Sequence, residues 1–480
     1  MLSEDSASRR LPPLLPWVVA IAMIMEQLDS TILNTAIPNM AAALHVTPLS
    51  LRGVVASYVL SLAVCIPVSG WIADRYGTRK VFSLAIGLFT VSSMMCGLSV
   101  SVPMLVAART FQGAAAAMMV PVARISLVRA VPKNQLLKVQ NFIIVPALIG
   151  PLLGPTIGGL IVSWTSWRVI FFINVPVGLG AFLLARLHMS DFYGETREPL
   201  DTTGFVLFGG GAALLSWALE VFGDHRGGVG AVLASLLAGL ALLGAYAWHA
   251  RRLAHPLLRL TLFATRTFRV SVVGGFLTRL GTSGMPLLVP LLFQLGLGRP
   301  PWQSGLMMIP AVIGSMGMRM MSAVFYRRFG YRNILVFNTV MVGAIIFLFS
   351  LVGQTTPLAF VAALGLAQGF FSSLQFSGVN SLAFADIGPT QTSAASTVVS
   401  TLQTMTRSFA LAGGAIITAL FLGRLPQSDH PAVLAALHHA FQTVAVVTVL
   451  SSVTFWTLKP GDGASLNGRK AEESEAAAGD

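Results

Sequence analysis

From residue 17 onward the chain alternates long apolar runs with short polar breaks. A helix that crosses a bilayer needs about 20 mostly apolar residues. Fourteen segments fit that description: Trp17–Met40, Gly53–Ala73, Val81–Ser101, Met104–Val128, Phe142–Trp164, Val169–Ala185, Gly204–Phe222, Val229–Ala250, Val270–Gly298, Trp302–Tyr326, Ile334–Gly353, Leu358–Ala385, Ser393–Gly423 and Ala432–Leu458. Apolarity within each is continuous, whereas the strands of a membrane barrel alternate over about 10 residues. The pattern therefore predicts an all-α polytopic membrane protein with fourteen transmembrane helices. Glu26 and Asp29 sit in the middle of the first run, and no small-residue cleavage site follows, so it reads as a retained helix rather than a signal peptide.

Composition narrows the classes. Hydrophobic residues make up 55% of the 480 and charged residues 10%, against roughly 25% charged in soluble domains. So few charges cannot cover a soluble chain. That excludes a cytosolic globular enzyme, a disordered protein and a disulfide-rich secreted domain. Cys65 and Cys96 both lie in apolar runs, so neither a disulfide framework nor a metal site is expected.

The formal net charge of +13 would suit nucleic acid, but the placement of the bases gives another explanation. An even number of spans leaves both termini on one side. That side collects Arg9, Arg10, Arg75, Arg79, Lys80, Arg129, Lys133, Lys138 and most of the other bases, while the opposite side has Arg52, Arg168, Arg226, Arg299 and Arg424. Basic residues concentrate in cytoplasmic loops. Both termini are therefore expected in the cytoplasm, with no nucleic-acid partner. Arg109, Arg124, Arg279, Arg319 and Arg407 remain at span depth.

A repeat organises the chain. The loop after the second span reads Gly70-Trp-Ile-Ala-Asp74-Arg75-Tyr-Gly77-Thr-Arg79-Lys80, and the loop after the tenth reads Arg327-Arg328-Phe-Gly330-Tyr-Arg332. Arg-aromatic-Gly-x-Arg recurs with Gly330 placed 253 residues after Gly77. That offset lays spans one to six on spans nine to fourteen. The expected organisation is a cytoplasmic segment (1–16), a six-helix bundle (17–188), a linker with two extra helices and an amphipathic segment (189–268), a second six-helix bundle (269–458) and a disordered cytoplasmic tail (459–480). Parallel halves of this kind bind substrate between them in secondary transporters.

Four stretches carry candidate chemistry. In the first loop, Gly70 and Gly77 permit close packing and a tight turn. Asp74 is placed to face the positive N-terminus of another helix, span thirteen, which follows Pro389 and Thr390. Arg75, Arg79 and Lys80 complete a gating loop; read more plainly, they are bases that fix topology. In the fifth span Gly150, Gly154 and Gly158 recur every four residues, with Pro155 and Gly159, giving a flat face for close helix approach. Arg109 in Arg109-Thr-Phe-Gln112-Gly113 lies at bilayer depth and needs a cavity or a partner. Glu26 and Asp29 are three residues apart, on one helical face. Two carboxylates there cannot both stay ionised cheaply, so one is expected to hold a proton.

These stretches together resemble the major facilitator superfamily, and most closely its fourteen-helix drug:proton antiporter branch (EmrB/QacA-type). Gly70–Lys80 resembles the superfamily's loop signature, and Arg109-x-x-Gln112-Gly113 its fourth-helix motif. Gly150-x-x-x-Gly154-Pro155-x-x-Gly158-Gly159 resembles the antiporter motif of helix five. Leu28-Asp29-Ser-Thr-Ile-Leu-Asn34-x-Ala-Ile-Pro38 resembles the branch's first-helix motif, and Trp167-Arg168-x-Ile-Phe-Phe-Ile-Asn174-x-Pro176-x-Gly178 the opening of its sixth helix. Within the branch the likeness is to a subgroup of multidrug transporters with poorly defined substrates. Arg124, Arg279 and Glu26 depart from the usual pattern.

The resemblance implies a proton-coupled efflux antiporter of the plasma membrane, a bacterial inner membrane, that works by alternating access. It is a transporter and not an enzyme, has no cofactor, and is driven by the proton motive force. Protonation of Asp29, tuned by Glu26 and Arg109, is expected to bias the two states. The substrate cavity is expected to include Asn34, Gln112, Arg124, Arg279, Gln375 and Arg407. The bland alternatives pair Arg124 with Asp74, and Arg279 with Glu26 or Asp29. Partners are a small-molecule substrate, protons and membrane lipid, with the protein a monomer. Rival readings are an exporter of small organic anions with the same machinery, and an uncoupled facilitator.

Overall fold

In the computed structural model the described residues are 14–130, 150, 153–194, 199–224, 229–253, 255–388, 391–423, 429–459 and 461–463. Thirteen helices are long and apolar enough to cross a bilayer. With one shorter apolar helix they run, in chain order, α1 (Leu15–Thr35), α2 (Pro48–Tyr76), α3 (Thr78–Gly97), α4 (Val102–Leu127), α5 (Leu153–Trp164), α6 (Val169–His188), α7 (Thr202–Leu219), α8 (Gly230–Ala250), α9 (Arg266–Gly296), α10 (Pro301–Phe329), α11 (Tyr331–Phe349), α12 (Leu358–Phe384), α13 (Ala394–Leu422) and α14 (His430–Trp456). Most of the first half of the predicted fifth span, 142–149 and 151–152, lies outside the described residues. No strand occurs among the described residues.

Glycine and proline set the punctuation. Gly77 joins α2 to α3 with φ +92°, and Gly330 joins α10 to α11 with φ +77°. Only glycine takes that conformation without strain. The repeat read from sequence therefore recurs as the same backbone turn. Prolines break α9: its regular part ends at Thr282, a short helix covers Met285–Leu291, and a π-helical turn closes it at Gly296. Pro286 and Pro290 remove two backbone donors there. α1 likewise loosens into a 3-10 turn at Leu33–Thr35 before Pro38.

The helices pack in two groups. α2 lies on α4, α3 on α4 and α6, and α1 on α6; α10 lies on α12, α11 on α12 and α14, and α9 on α12, α13 and α14. Between them α7 and α8 pair along their length, and α7 rests on both α2 and α13. Buried Ala63, Phe208, Tyr246, Phe268 and Val398 cement that junction. Asp201 anchors the pair: its carboxylate accepts from Gly204 N (2.7 Å) and Leu257 N (3.1 Å), with His249 Nε2 at 2.8 Å. Burial alone would push this carboxyl up, but the His249 and backbone hydrogen bonds outweigh it and hold it below the usual carboxylate range. The amphipathic segment expected over Pro256–Phe268 contains a 3-10 helix, Leu260–Ala264, with Leu258 and Leu262 buried.

The surface is inverted relative to a soluble fold. Leu187 is 75% exposed and Leu450 64%, while Asp29 and Arg109 are 0% and 1% exposed. Apolar side chains outside and charge inside suit a bilayer. The tail departs from the expected disorder in its first residues. Asp462 pairs with Arg266, and Gly463 packs on the Tyr331 ring.

The two groups meet along α2 and α13, where Ser408 Oγ donates to Ala56 O (3.1 Å), and at the end where α1 and α5 finish. Gln294 Nε2 of α9 donates to Thr35 O of α1 (3.1 Å). A Cβ at Gly159 would sit 2.6 Å from Pro301 O, and one at Gly305 would sit 2.5 Å from Pro155 O. α5 and α10 thus cross with their backbones in contact.

Candidate functional site

The centre of the first half is a sealed ion pair. Asp29 Oδ2 accepts from Arg109 Nη1 at 2.6 Å, and Oδ1 accepts from Gln112 Nε2 and Asn174 Nδ2 at 3.1 Å each. Arg109 Nη1 also donates to Gln112 Oε1 (2.8 Å). The guanidinium lies 4.1 Å from the Tyr58 ring centroid and 5.9 Å from that of Phe171. The motif spacing explains the geometry: Arg109 and Gln112 are one turn apart on α4, so both reach the same carboxylate. Burying an ion pair costs heavily unless its remaining donors and acceptors are satisfied. Here three donors from α4 and α6 satisfy Asp29. Asp29 and Arg109, both expected to take part in proton coupling, lie together here as an ion pair, with Gln112 and Asn174 completing the shell of Asp29.

Glu26, one turn earlier on the same helix, is the opposite case. It makes no hydrogen bond or ion pair among the described residues, and its Oε2 is sealed without a partner. Its electrostatic neighbours are Arg407, Arg124 and Asp29. Arg407 comes from α13 in the other half and donates from Nη2 to Ser30 Oγ (3.3 Å) and Ser30 O (3.5 Å). Ser30 follows Glu26 by four residues, so Arg407 reaches across the halves onto the Glu26 face of α1.

The other expected cavity residues separate. Arg124 is exposed within α4 and has no ion pair among the described residues, so the pairing with Asp74 does not form. Nor does Arg279 pair with Glu26 or Asp29. It stands 4.9 Å from the Phe376 ring centroid, and the Gln403 amide oxygen, turned toward it, accepts from Nη1 and Nη2 at 3.3 Å. Arg319 covers the same Phe376 at 5.8 Å. Gln375 is a correction: it is buried, accepts from Asn338 Nδ2 (2.8 Å) and donates to Thr339 Oγ1 (2.9 Å). It ties α12 to α11 instead of lining a cavity. Gln112 belongs to the ion pair, and Asn34 is buried with Oδ1 unpartnered.

The glycine face of α5 lies on α1. A Cβ at Gly150 would meet Gln27 at 2.5 Å; one at Gly154 would run into Thr31, and one at Gly158 into Ile32 O. Thr31 Oγ1 donates to Gly150 O and Thr35 Oγ1 to Pro155 O. Gly159 instead faces α10, so this run sets both the packing within one half and the contact with the other.

The loop of Gly70, Asp74, Arg75, Gly77, Arg79 and Lys80 has an unforeseen partner. Segment 191–194, just after α6, lies over it. Thr78 N donates to Phe192 O (3.0 Å), Phe192 N to Thr78 Oγ1 (3.1 Å) and Gly194 N to Asp74 O (2.9 Å). Arg79 N donates to Asp191 Oδ1 (3.0 Å). The expected partner of Asp74, around Pro389 and Thr390, lies outside the described residues. Sequence reading also missed Asn174 and Tyr58 as site residues. Asn174 stood inside a quoted motif and was a polar residue in an apolar run, a signal that was available; Tyr58 gave none.

A charge pair buried within one of two repeated helical groups is an arrangement that suits a membrane transporter. The comparisons agree. The Major Facilitator Superfamily model matches residues 19–411, and the chain belongs to that family. It is therefore a multi-pass membrane transporter. The MdtD protein of Serratia proteamaculans (strain 568), named for multidrug resistance, is 38% identical over 442 residues, 92% of each chain. The MdtD protein of Salmonella typhimurium is 38% identical over 445 residues, 92% of this chain and 93% of its own. Among solved structures, an inward-facing, unoccupied bacterial homologue of the human lysosomal transporter Spinster superposes with TM-score 0.67 at 12% identity, covering 96% of this chain and 98% of its own. A D-xylose–proton symporter gives 0.64 at 14%, covering 93% and 98%. At those identities the likeness is one of fold.

Proposed function

We propose that the chain is a proton-coupled efflux antiporter of the plasma membrane that exports small organic compounds by alternating access. The multidrug-resistance names of its relatives support drug efflux. The placement of its bases supports cytoplasmic termini. With that orientation the contact of α5 with α10 lies at the outer end.

The observation that carries proton coupling is the contrast between Asp29, bonded by three donors, and Glu26, bonded by none. A carboxylate with an oxygen sealed away from any donor, as Oε2 of Glu26 is, is costly as an anion and cheap as an acid. Glu26 therefore carries the proton, and Asp29 with Arg109 is the fixed neutral unit beside it. On losing that proton, Glu26 becomes an anion facing Arg407, which bonds Ser30 across the halves, and so changes the contact between them. Proton or substrate moves the equilibrium only by its differential affinity for the two states. The electrical part of the drive is about 2.3 kcal/mol per charge per 100 mV.

Ethidium efflux from proteoliposomes under an imposed pH gradient tests the reading. Efflux that follows the gradient supports it; a flux indifferent to collapse of the gradient means an uncoupled facilitator. One observation favours a second reading, export of organic anions: Arg279 has no carboxylate partner among the described residues. A guanidinium binds a carboxylate through two parallel hydrogen bonds. Arg279→Gln then loses dicarboxylate export and keeps ethidium efflux; a wild type that exports no dicarboxylate sinks this reading.

A further inference from the structure

Three buried polar atoms in and beside the ion pair have no hydrogen-bond partner: Nε of Arg109, the hydroxyl of Tyr58 and Oε2 of Glu26. Tyr58 is fully buried on α2, and its ring covers the Arg109 guanidinium at 4.1 Å. Its phenol lies in the field of Asp29, Glu26, Arg109 and Arg407 together. Its backbone is held where it is by the close approach of α4, because a Cβ at Gly113 would collide with the Tyr58 carbonyl. We infer that Tyr58 is a positioning residue of the proton site: its ring holds Arg109 against Asp29, and its free hydroxyl is the donor that Glu26 recruits when it gives up its proton. The inference rests on the assignment of the transported proton to Glu26 made above.

Most other donors near Glu26 are engaged, with Nε of Arg109 the charged exception. Arg109 Nη1 is bound to Asp29 and Gln112. Arg407 Nη2 is bound to Ser30 on α1. Arg124 on α4 is exposed. With Asp29 on its own helix, these are the charged groups that act on Glu26. The Tyr58 hydroxyl is the uncharged donor left over. A hydrogen bond to the ionised form of a carboxyl makes ionisation easier, so the hydroxyl lowers the cost of releasing the proton into water on the open side. Tyr58 keeps its own proton throughout and only turns its O–H. Because one residue serves both units, its ring against Arg109 and its hydroxyl recruited by Glu26, the state of Glu26 is transmitted to the ion pair without a charge moving between them.

The test uses purified full-length protein in nanodiscs and needs no substrate. The infrared band of a protonated carboxyl is titrated in wild type, Glu26→Gln, Tyr58→Phe and Tyr58→Leu. In wild type a band absent from Glu26→Gln disappears as pH rises. Tyr58→Phe keeps the ring and loses the donor, so the midpoint moves up by about one to two pH units, with thermal stability close to wild type. Tyr58→Leu shows the same midpoint shift and a lower melting temperature, because Arg109 loses its cover. An unchanged midpoint in Tyr58→Phe overturns the role of the hydroxyl. Equal melting temperatures for Phe and Leu overturn the role of the ring. A wild type with no Glu26-dependent band fails at the earlier step and overturns the assignment of the proton to Glu26.

Discussion

The two halves share a backbone plan and bury polarity in different ways. In the first, α1, α4 and α6 converge on a full charge pair, Asp29 with Arg109, closed by Gln112 and Asn174. In the second, α11 and α12 are tied by a neutral network, Asn338, Gln375 and Thr339. The second half also offers cations, Arg279 and Arg407, with no acid of its own near them among the described residues. Residue 279 follows Glu26 by the repeat offset of 253, so an acid in one half answers a base in the other. Duplication supplied the scaffold and divergence divided the work. In the proposed mechanism the first half holds and titrates the proton, and the second presents the positive groups that respond to it.

The largest expected effect comes from unbalancing the ion pair. Removing one partner of a buried pair costs about 3–5 kcal/mol, so Arg109→Leu should lower the melting temperature sharply and abolish transport. Asp29→Asn, which keeps the hydrogen bonds but strands the guanidinium, should abolish proton-driven transport while the protein still reaches the membrane. The double variant Asp29→Asn, Arg109→Gln should recover much of the stability and none of the transport. Gln375→Leu in the neutral network should cost only about 1–3 kcal/mol and leave transport measurable. If Gln375→Leu proves as damaging as Arg109→Leu, the contrast between the halves is wrong.

Next is the closed end. A side chain at Gly159 has no room against Pro301 O, so Gly159→Val should wedge α5 from α10 and raise the accessibility of cysteines placed along α1 from that side. Transport should fall about tenfold or more, as close-packed backbones tolerate little added volume. The loops give a smaller effect. Asp191 clasps the first loop at Arg79, and among the described residues no such bond reaches the loop at Gly330. Asp191→Ala should change turnover several-fold, with substrate affinity nearly unchanged; an equal loss of both would contradict a gating role.

Smallest is the Asp201 anchor of α7 and α8. Its carboxyl is held below the usual range, so its contribution is complete above the ordinary carboxylate value of 3.8 and is lost as pH falls through the lower folded value. Hydrogen exchange in α8 should accelerate only in that acid window, and Asp201→Asn should show the acid behaviour at neutral pH.

Much of this was readable from the chain. Continuous apolarity gave the helices, and Gly77 and Gly330 gave the repeat because glycine alone makes that turn. The four-residue glycine spacing gave the flat face of α5. Arg109 and Asp29 were each improbable alone at bilayer depth, which marked both as site candidates. The division of labour between Glu26 and Asp29 was not readable. It depends on Asn174 arriving from α6 and Arg407 from α13, 145 and 377 residues away from their partners Asp29 and Ser30. Gln375 misled for a similar reason: a polar residue at span depth looks alike in sequence whether it meets a cavity or a neighbouring amide. Breaks such as that in α9 were signalled by Pro286 and Pro290, yet where such a helix bends is settled by what it packs against.

The central claim is that Glu26 carries the transported proton while Asp29 stays fixed. Its most direct measurement is proton movement in proteoliposomes on addition of ethidium, followed with an entrapped pH dye in wild type and Glu26→Gln. The account predicts substrate-driven proton flux in wild type and none in Glu26→Gln, with ethidium exchange in the absence of a gradient retained in the variant. Full proton flux in Glu26→Gln would contradict it and return the proton to Asp29.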